Sequence, residues 1–234
     1  MGKIISLVSP KGGATKSTLA LCLADYFYKW DQEIAIVDLD PQGSLRSWSQ
    51  ERSVNENLSD EEKRAIPVEF YGEDAFTFED LTRLEEHQEN IIIDCPGESE
   101  AGPKTRTALA FSDLVIIPVR NADFDVKSLF EHLLPTLEEA QKSNIRNGKV
   151  MFLPTLCHYR ADLKKTIKDY TGLGYPVINA LFYQRKIFGT FPDGGLSLSD
   201  CADHGKTGLQ RAQAITALKD VEKIAMEILN SSEV

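Results

Sequence analysis

Short, continuous apolar runs alternate with stretches of helical periodicity along this chain. The first run, Ile4, Ile5, Leu7 and Val8, is rich in β-branched residues, and after Ser9 to Thr18 the apolar residues Leu19, Ala20, Leu23, Ala24 and Phe27 recur at helical spacing. This predicts a strand, a loop and a helix from about Lys16 to Trp30. Ile34 to Val37 is apolar at every position, as in a parallel strand covered on both faces, and completes a βαβ unit. A helix is predicted from Ser44 to about Arg52 with Leu45 and Trp48 turned inward, whereas Glu51 to Arg64 is polar and reads as a helix end and exposed loop. Further strands are predicted at Val68 to Tyr71, Ile91 to Ile93, Leu114 to Val119, Val150 to Leu153 and Val177 to Leu181. Between and after them, helices are predicted over Phe78 to His87, from beyond Asp125 to about Lys142, over Arg160 to Tyr170, and over Thr207 to Leu229. The last carries Leu218, Val221, Ala225 and Ile228 on a core-facing stripe. Seven strands alternating with helices, with no internal repeat, predict an α/β fold: a doubly wound, mostly parallel sheet with helices on both faces.

Composition narrows this picture without redirecting it. The 234 residues suit one α/β domain spanning 1–234. The first strand opens almost at Met1 and no apolar run approaches membrane-spanning length, so the expected setting is cytoplasmic, with no signal peptide and no membrane partner. Cys22, Cys95, Cys157 and Cys201 are far apart and lack C-x-x-C pairing, which reads as free thiols, most of them buried. A formal charge of -10 argues against a generally basic nucleic-acid surface, so any DNA contact must come from a local basic patch.

The candidate chemistry lies at Ser9-Pro-Lys-Gly-Gly-Ala-Thr-Lys-Ser-Thr18, between the first strand and the first helix. A helix N-terminus offers unpaired N–H groups and the positive end of its dipole to an anion. Gly12 and Gly13 allow consecutive N–H groups to converge on one phosphate, Lys16 adds a full charge, and the Ser17 hydroxyl is placed for a magnesium ion. Against the ordinary pattern G-x-x-x-x-G-K-[ST], Pro10 and Thr15 stand where the glycines belong. The bland alternative is a glycine turn with solvated lysines. Asp38 and Asp40 close the second strand, and Asp94 closes the Ile91 to Ile93 run before Pro96-Gly97, a Walker B shape. Helix capping or turn formation is the alternative role for Asp38 and Asp40.

These motifs in order, Lys11 to Thr18, Asp38-Leu39-Asp40-Pro41-Gln42, Ile91 to Gly97 and Ser112 to Val119, make the whole chain resemble the ParA/MinD family of deviant Walker A ATPases, most closely the short ParA partition proteins. That resemblance implies a P-loop NTPase type of fold, ATP and Mg2+ as cofactors, and hydrolysis of ATP to ADP and phosphate. It implies nucleotide contacts from Lys11, Gly12, Gly13, Ala14, Thr15, Lys16, Ser17 and Thr18, with Lys11 reaching the other subunit's nucleotide in an ATP-bound homodimer. Ser17 would bind magnesium directly, Asp38 and Asp94 would hold its water shell, and Asp40 would position the attacking water. It further implies nonspecific DNA binding, for which Arg185, Lys186, Lys206 and Arg211 are the basic candidates, and nucleoid association when ATP is bound. Partition of plasmid or chromosomal DNA with an adaptor of ParB type is the first expectation. A protein cargo with an equivalent cargo-linked partner stands beside it. The chain departs from the family at Thr15, a position usually glycine, and at Arg120-Asn121-Ala122-Asp123. With the cradle so near Met1, the N-terminal helix-turn-helix extension of longer ParA proteins is not expected. A MinD-like membrane role is disfavoured by Glu227-Ile228-Leu229-Asn230-Ser231-Ser232-Glu233-Val234, which carries no basic cluster.

Overall fold

The computed structural model describes residues 3–10, 15–72, 74–97, 102–120, 133–143, 146, 148–158, 163–171 and 174–231. One sheet runs through it, built from β1 (Lys3–Ser9), β2 (Ile34–Asp38), β3 (Val68–Phe70), β4 (Asn90–Gly97), β5 (Leu114–Arg120), β6 (Lys149–Cys157) and β7 (Phe182–Tyr183). The spatial order is β3-β2-β4-β1-β5-β6-β7, and every pairing is parallel. Around it lie α1 (Lys16–Lys29), α2 (Ser44–Ser53), α3 (Asp60–Arg64), α4 (Phe78–Glu85), α5 (Pro103–Phe111), α6 (Leu134–Ser143), α7 (Leu163–Thr171), α8 (Leu198–His204) and α9 (Gly208–Asn230).

The uninterrupted apolar runs are explained by burial on both faces. Alternate residues of one strand point to opposite sides, so Ile5, Leu7, Ile36 and Ile92 pack beneath α1 and α9, in a core that includes Leu23, Phe27, Val221 and Ile228. Ile4, Val8, Ile91 and Ile93 face the other way, into a core with Leu81 of α4, Leu109 of α5 and Leu137 of α6. The chain winds outward from β1 to β2 and β3, returns as β4 beside β1, and continues on its other side as β5. Open α/β sheets bind ligands at the carboxyl ends of strands where the winding reverses. Here the parallel register sets Asp38 beside Asp94 and Leu7 beside Asp94 at that edge.

The structure corrects several boundaries. Val177 to Leu181 is not a strand: Val177 forms one isolated bridge with Phe152, and the paired strand is Phe182–Tyr183. Ile178 donates its N–H to Phe152 O at 2.8 Å as part of that bridge, and Ile178, Ala180 and Leu181 are apolar because they are buried in the core. Pairing resumes at Thr155, opposite Phe182, and Leu156, at φ +52, accompanies a shift of register between Thr155 and Cys157. The polar stretch before Arg64 contains α3, begun by a capping box in which Ser59 and Glu62 bond each other's backbone N–H. Helices α5 and α8 appear where none was predicted, the first opened by Pro103 and the second by a Ser197–Asp200 capping box. The predicted helix ending near Lys142 is described only from Leu134, and the one from Arg160 only from Leu163, because the intervening positions lie outside the described residues. All four cysteines are buried and none is in a disulfide.

Candidate functional site

The loop that the sequence marks as a phosphate cradle is described at its two ends. Lys11, Gly12, Gly13 and Ala14 lie outside the described residues, as do Asn121, Ala122 and Asp123. Thr15 caps α1 with φ 65 and ψ 15, the left-handed region. This accounts for the glycine expected there: an L-residue in that conformation costs roughly 1–2 kcal/mol, and a β-branched one is a genuine outlier. The Thr15 carbonyl accepts the Leu19 N–H at 2.9 Å, so α1 starts at once.

That start fixes the next two side chains. Lys16 is buried, and its Nζ donates to Ser9 Oγ at 3.0 Å, which holds the ammonium at the end of β1. Ser17 Oγ donates to Asp94 Oδ2 at 2.5 Å, joining the first turn of α1 to the end of the apolar β4. The other Asp94 oxygen, Oδ1, is buried and has no hydrogen-bond partner among the described residues. Burial, with smaller contributions from Asp38 and Asp40, pushes the Asp94 carboxyl up to about 7 against the opposing pull of Ser17 and Lys16.

Asp38 is fully buried and engaged. Its Oδ1 accepts the Asp40 N–H at 3.1 Å, and its Oδ2 accepts the Leu45 and Arg46 N–H groups at 3.1 and 3.2 Å. The N-cap of α2 is Gly43, at φ +61, which has no side chain to offer. Asp38 therefore supplies the cap from the neighbouring strand, the role held as the alternative for it in the sequence. Its carboxyl is raised, chiefly by burial, although all three backbone hydrogen bonds pull the other way. Asp40 Oδ1 accepts the Gln42 N–H at 2.9 Å, a local Asx turn, while its side chain stays half-buried at the same sheet edge.

Sequence reasoning missed two cations here. Arg46 is exposed, with its guanidinium 4.8 Å from the centre of the Phe70 ring, over the end of β3. Lys104 Nζ donates to Tyr71 O at 3.0 Å and to Gly72 O, bracing the first turn of α5 against the chain leaving β3. Neither has a motif of its own; Lys104 was hidden because α5 was not predicted.

The donor set agrees with magnesium arriving with a nucleotide. Among the described residues no group of three His, Cys, Asp or Glu side chains could hold a metal alone. Magnesium is commonly held by one or two carboxylates or hydroxyls together with phosphate oxygens and retained waters. The Ser17 hydroxyl and the unpartnered Asp94 Oδ1 are donors of that kind, with Asp38 alongside.

The basic candidates for DNA divide differently. Arg185 Nε donates to the buried Asp220 at 2.5 Å, and its guanidinium lies 5.4 Å from the Tyr183 ring centre. Arg211 Nη1 donates to Gly205 O at 2.6 Å. Lys186 and Lys206 are exposed. Arg185 is thus held by an internal ion pair, while Arg211 makes one intramolecular hydrogen bond and stays exposed. Among the described residues no helix is long and apolar enough to cross a membrane.

Comparison with known proteins gives the same pattern over nearly the whole chain. Residues 5–230 match the family model described as CobQ/CobB/MinD/ParA nucleotide binding domain. A relative named Chromosome-partitioning ATPase Soj, from Thermus thermophilus, is 27% identical over 248 residues, covering 96% of this chain and 94% of its own. Maintenance of carboxysome distribution protein A from Halothiobacillus neapolitanus is 21% identical over 211 residues, covering 90% and 93%. Among solved structures, a plasmid partition protein from Borrelia burgdorferi bound to AMPPNP superposes with a TM-score of 0.66 at 20% identity, over 98% of this chain and 99% of that one.

Proposed function

The chain belongs to the CobQ/CobB/MinD/ParA nucleotide-binding family, and from that premise we propose that it is an ATP-driven dimer switch that moves or positions DNA. It is a P-loop ATPase that uses ATP and Mg2+, as the family and its nucleotide-bound members have it. In its general class it positions DNA or a protein cargo through a nucleotide-dependent change of association state. The observation that carries the proposal is the Ser17–Asp94 pair, with its one unpartnered buried oxygen, beside the buried Lys16.

Phosphoryl transfer asks a protein mainly for positioning and charge neutralisation. Lys16 leaves Ser9 for the β- and γ-phosphates, an exchange of a neutral partner for a charged one that strengthens its hydrogen bond. Bound magnesium would add charge neutralisation on the same phosphates. Ser17 and Asp94 would hold it directly or through water, with Asp38 contributing to its water shell. Asp40, whose Oδ1 accepts the Gln42 N–H, positions the attacking water. Lys11 reaches the nucleotide of the second subunit, so ATP becomes the signal for dimerisation. An adaptor of ParB type stimulates turnover, and the ATP-bound dimer holds nonspecific DNA through Lys186 and Lys206 first, with Arg185 and Arg211 behind them.

A second reading keeps the chemistry and replaces DNA by a protein cargo. It is favoured by the formal charge of -10 and by the internal engagement of Arg185 and Arg211. ATP turnover measured with and without nonspecific DNA, at low and high salt, separates the two. DNA reading: turnover rises with DNA and the effect fades steeply with salt. Turnover and retention indifferent to DNA at low salt would transfer the assignment to a protein cargo.

A further inference from the structure

Helix α9 buries one side completely, with Ala214, Ala217, Val221, Ile224, Ala225 and Ile228 in the core. Its opposite side carries Ile215, Lys219, Glu222 and Met226, at successive spacings of four, three and four, which is one straight stripe on a helix. Ile215 is 47% exposed and Met226 51%, while Lys219 and Glu222 are exposed between them. Beside this stripe, Tyr26 of α1 and Trp30 at its C-terminal end wall a cavity of about 400 Å³ that Ile215, Leu218, Lys219 and Glu222 also line. Trp30 is 62% exposed, and its ring centre is 6.0 Å from that of Tyr26. The result is a stripe with apolar ends and one cation and one anion at its middle, beside a cavity that the exposed Lys29–Asp203 ion pair also lines.

The order of these residues is self-complementary when reversed. From one end it reads apolar, cation, anion, apolar; laid antiparallel across a two-fold axis between Lys219 and Glu222, each position meets its complement. Ile215 then opposes Met226 of a second copy, and Lys219 opposes Glu222 of that copy, with both contacts formed twice. A parallel two-fold pairing would set Lys219 against Lys219 and Glu222 against Glu222. Charge order therefore selects the antiparallel arrangement. We infer that the outer face of α9, with Trp30 at its side, is a docking surface for α9 of a second copy of this chain. The contact is separate from the nucleotide site and uses none of its residues. A stripe of three turns covers less than the roughly 800 Å² per partner of a standard stable interface, so it is weak alone. It becomes effective where another contact already gathers the chains, joining dimers into larger assemblies.

Sedimentation equilibrium of the full chain without nucleotide tests this independently of the ATPase reading. The wild type should show a weak, reversible dimer; Lys219→Glu and Glu222→Lys should each weaken it about tenfold, by replacing two attractive pairs with two repulsive ones. The combined Lys219→Glu/Glu222→Lys chain should recover wild-type association, and Ile215→Asp should abolish it. A wild type that is monomeric at its highest soluble concentration would overturn the inference. So would single reversals that leave association unchanged, or a Glu222→Lys chain whose only change is tighter DNA binding, which would make the face a polyanion surface.

Discussion

Two buried clusters in this chain hold the same charges, two carboxylates and one cation, and differ in how completely those charges are answered. In one, Arg52 of α2 donates to Asp200 Oδ2 at 2.6 Å, to Gly195 O at 2.7 Å and to Glu62 O at 2.9 Å. Asp200 also accepts the Ser197 N–H, and Asp25 accepts the Ser199 N–H at 2.9 Å. The chain closes tightly around it: Gly195, at φ +70, lies so near Arg52 that a Cβ there would meet the Arg52 backbone at 2.1 Å. In the other cluster, Lys16, Asp38 and Asp94 meet at the carboxyl edge of the sheet, and Asp94 Oδ1 is left unpartnered. The first cluster is scaffold, tying α1, α2, α3 and α8 together. In the second, one buried carboxylate oxygen has no partner among the described residues, and leaving a buried charge unanswered is costly.

The sharpest way to break this contrast is Arg52→Met. It leaves Asp200 buried and unpaired, and urea unfolding should show a loss of about 3–5 kcal/mol. A loss below 1 kcal/mol would show that the cluster is not the scaffold described here. A smaller effect concerns Asp25, which burial pushes up to about 6, with Asp200 adding to the rise and hydrogen bonds from Ser199 and Ser197 opposing it. The folded chain then binds a proton more tightly than the unfolded one. Its contribution to stability is full below about pH 4 and falls as pH rises to about 6, by about 3 kcal/mol in all. Asp25→Asn should flatten that decline in a series of melts across this range; an unaltered pH profile would remove Asp25 from the account. Smallest is Thr15→Gly. Relief of roughly 1–2 kcal/mol of left-handed strain is offset by the greater freedom of glycine in the unfolded chain, so the expected gain is about 0.5–1 kcal/mol. A lowered melting temperature would mean that Thr15 is not strained as its φ indicates.

The two clusters were not equally legible in the sequence. Strands β1, β2 and β4 declare themselves by uninterrupted apolarity, and Lys16, Ser17, Asp38, Asp40 and Asp94 follow at their ends, so the open site could be assembled from motif spacing. The closed cluster is built from residues that no local pattern unites. Asp25 sits on a helix whose apolar periodicity draws attention away from it, and Arg52 and Asp200 are 148 residues apart. Helix α8 left a signal, Ser197 three residues before Asp200, that resembles the capping box at Ser59 and Glu62. Both were passed over because the helices are short and their composition polar or mixed. The last strand was misplaced for a different reason: burial and pairing produce the same apolar letters, and the ladder itself, Thr155 with Phe182 and Cys157 with Tyr183, is not legible in them. For Arg185, the sequence displayed a basic residue and concealed Asp220, its partner 35 positions on.

On the proposed function, magnesium and ATP complete the open cluster at Asp94. Binding of a nonhydrolysable ATP analogue, titrated with Mg2+ in the wild type and in Asp94→Asn, addresses it directly. The expected result is a wild-type affinity that rises with Mg2+ and a variant in which that dependence weakens roughly 10- to 100-fold. The nucleotide-free variant should melt no lower than the wild type, because an unanswered buried charge has been removed. Unchanged Mg2+ dependence, or a loss of stability like that expected of Arg52→Met, would contradict the account.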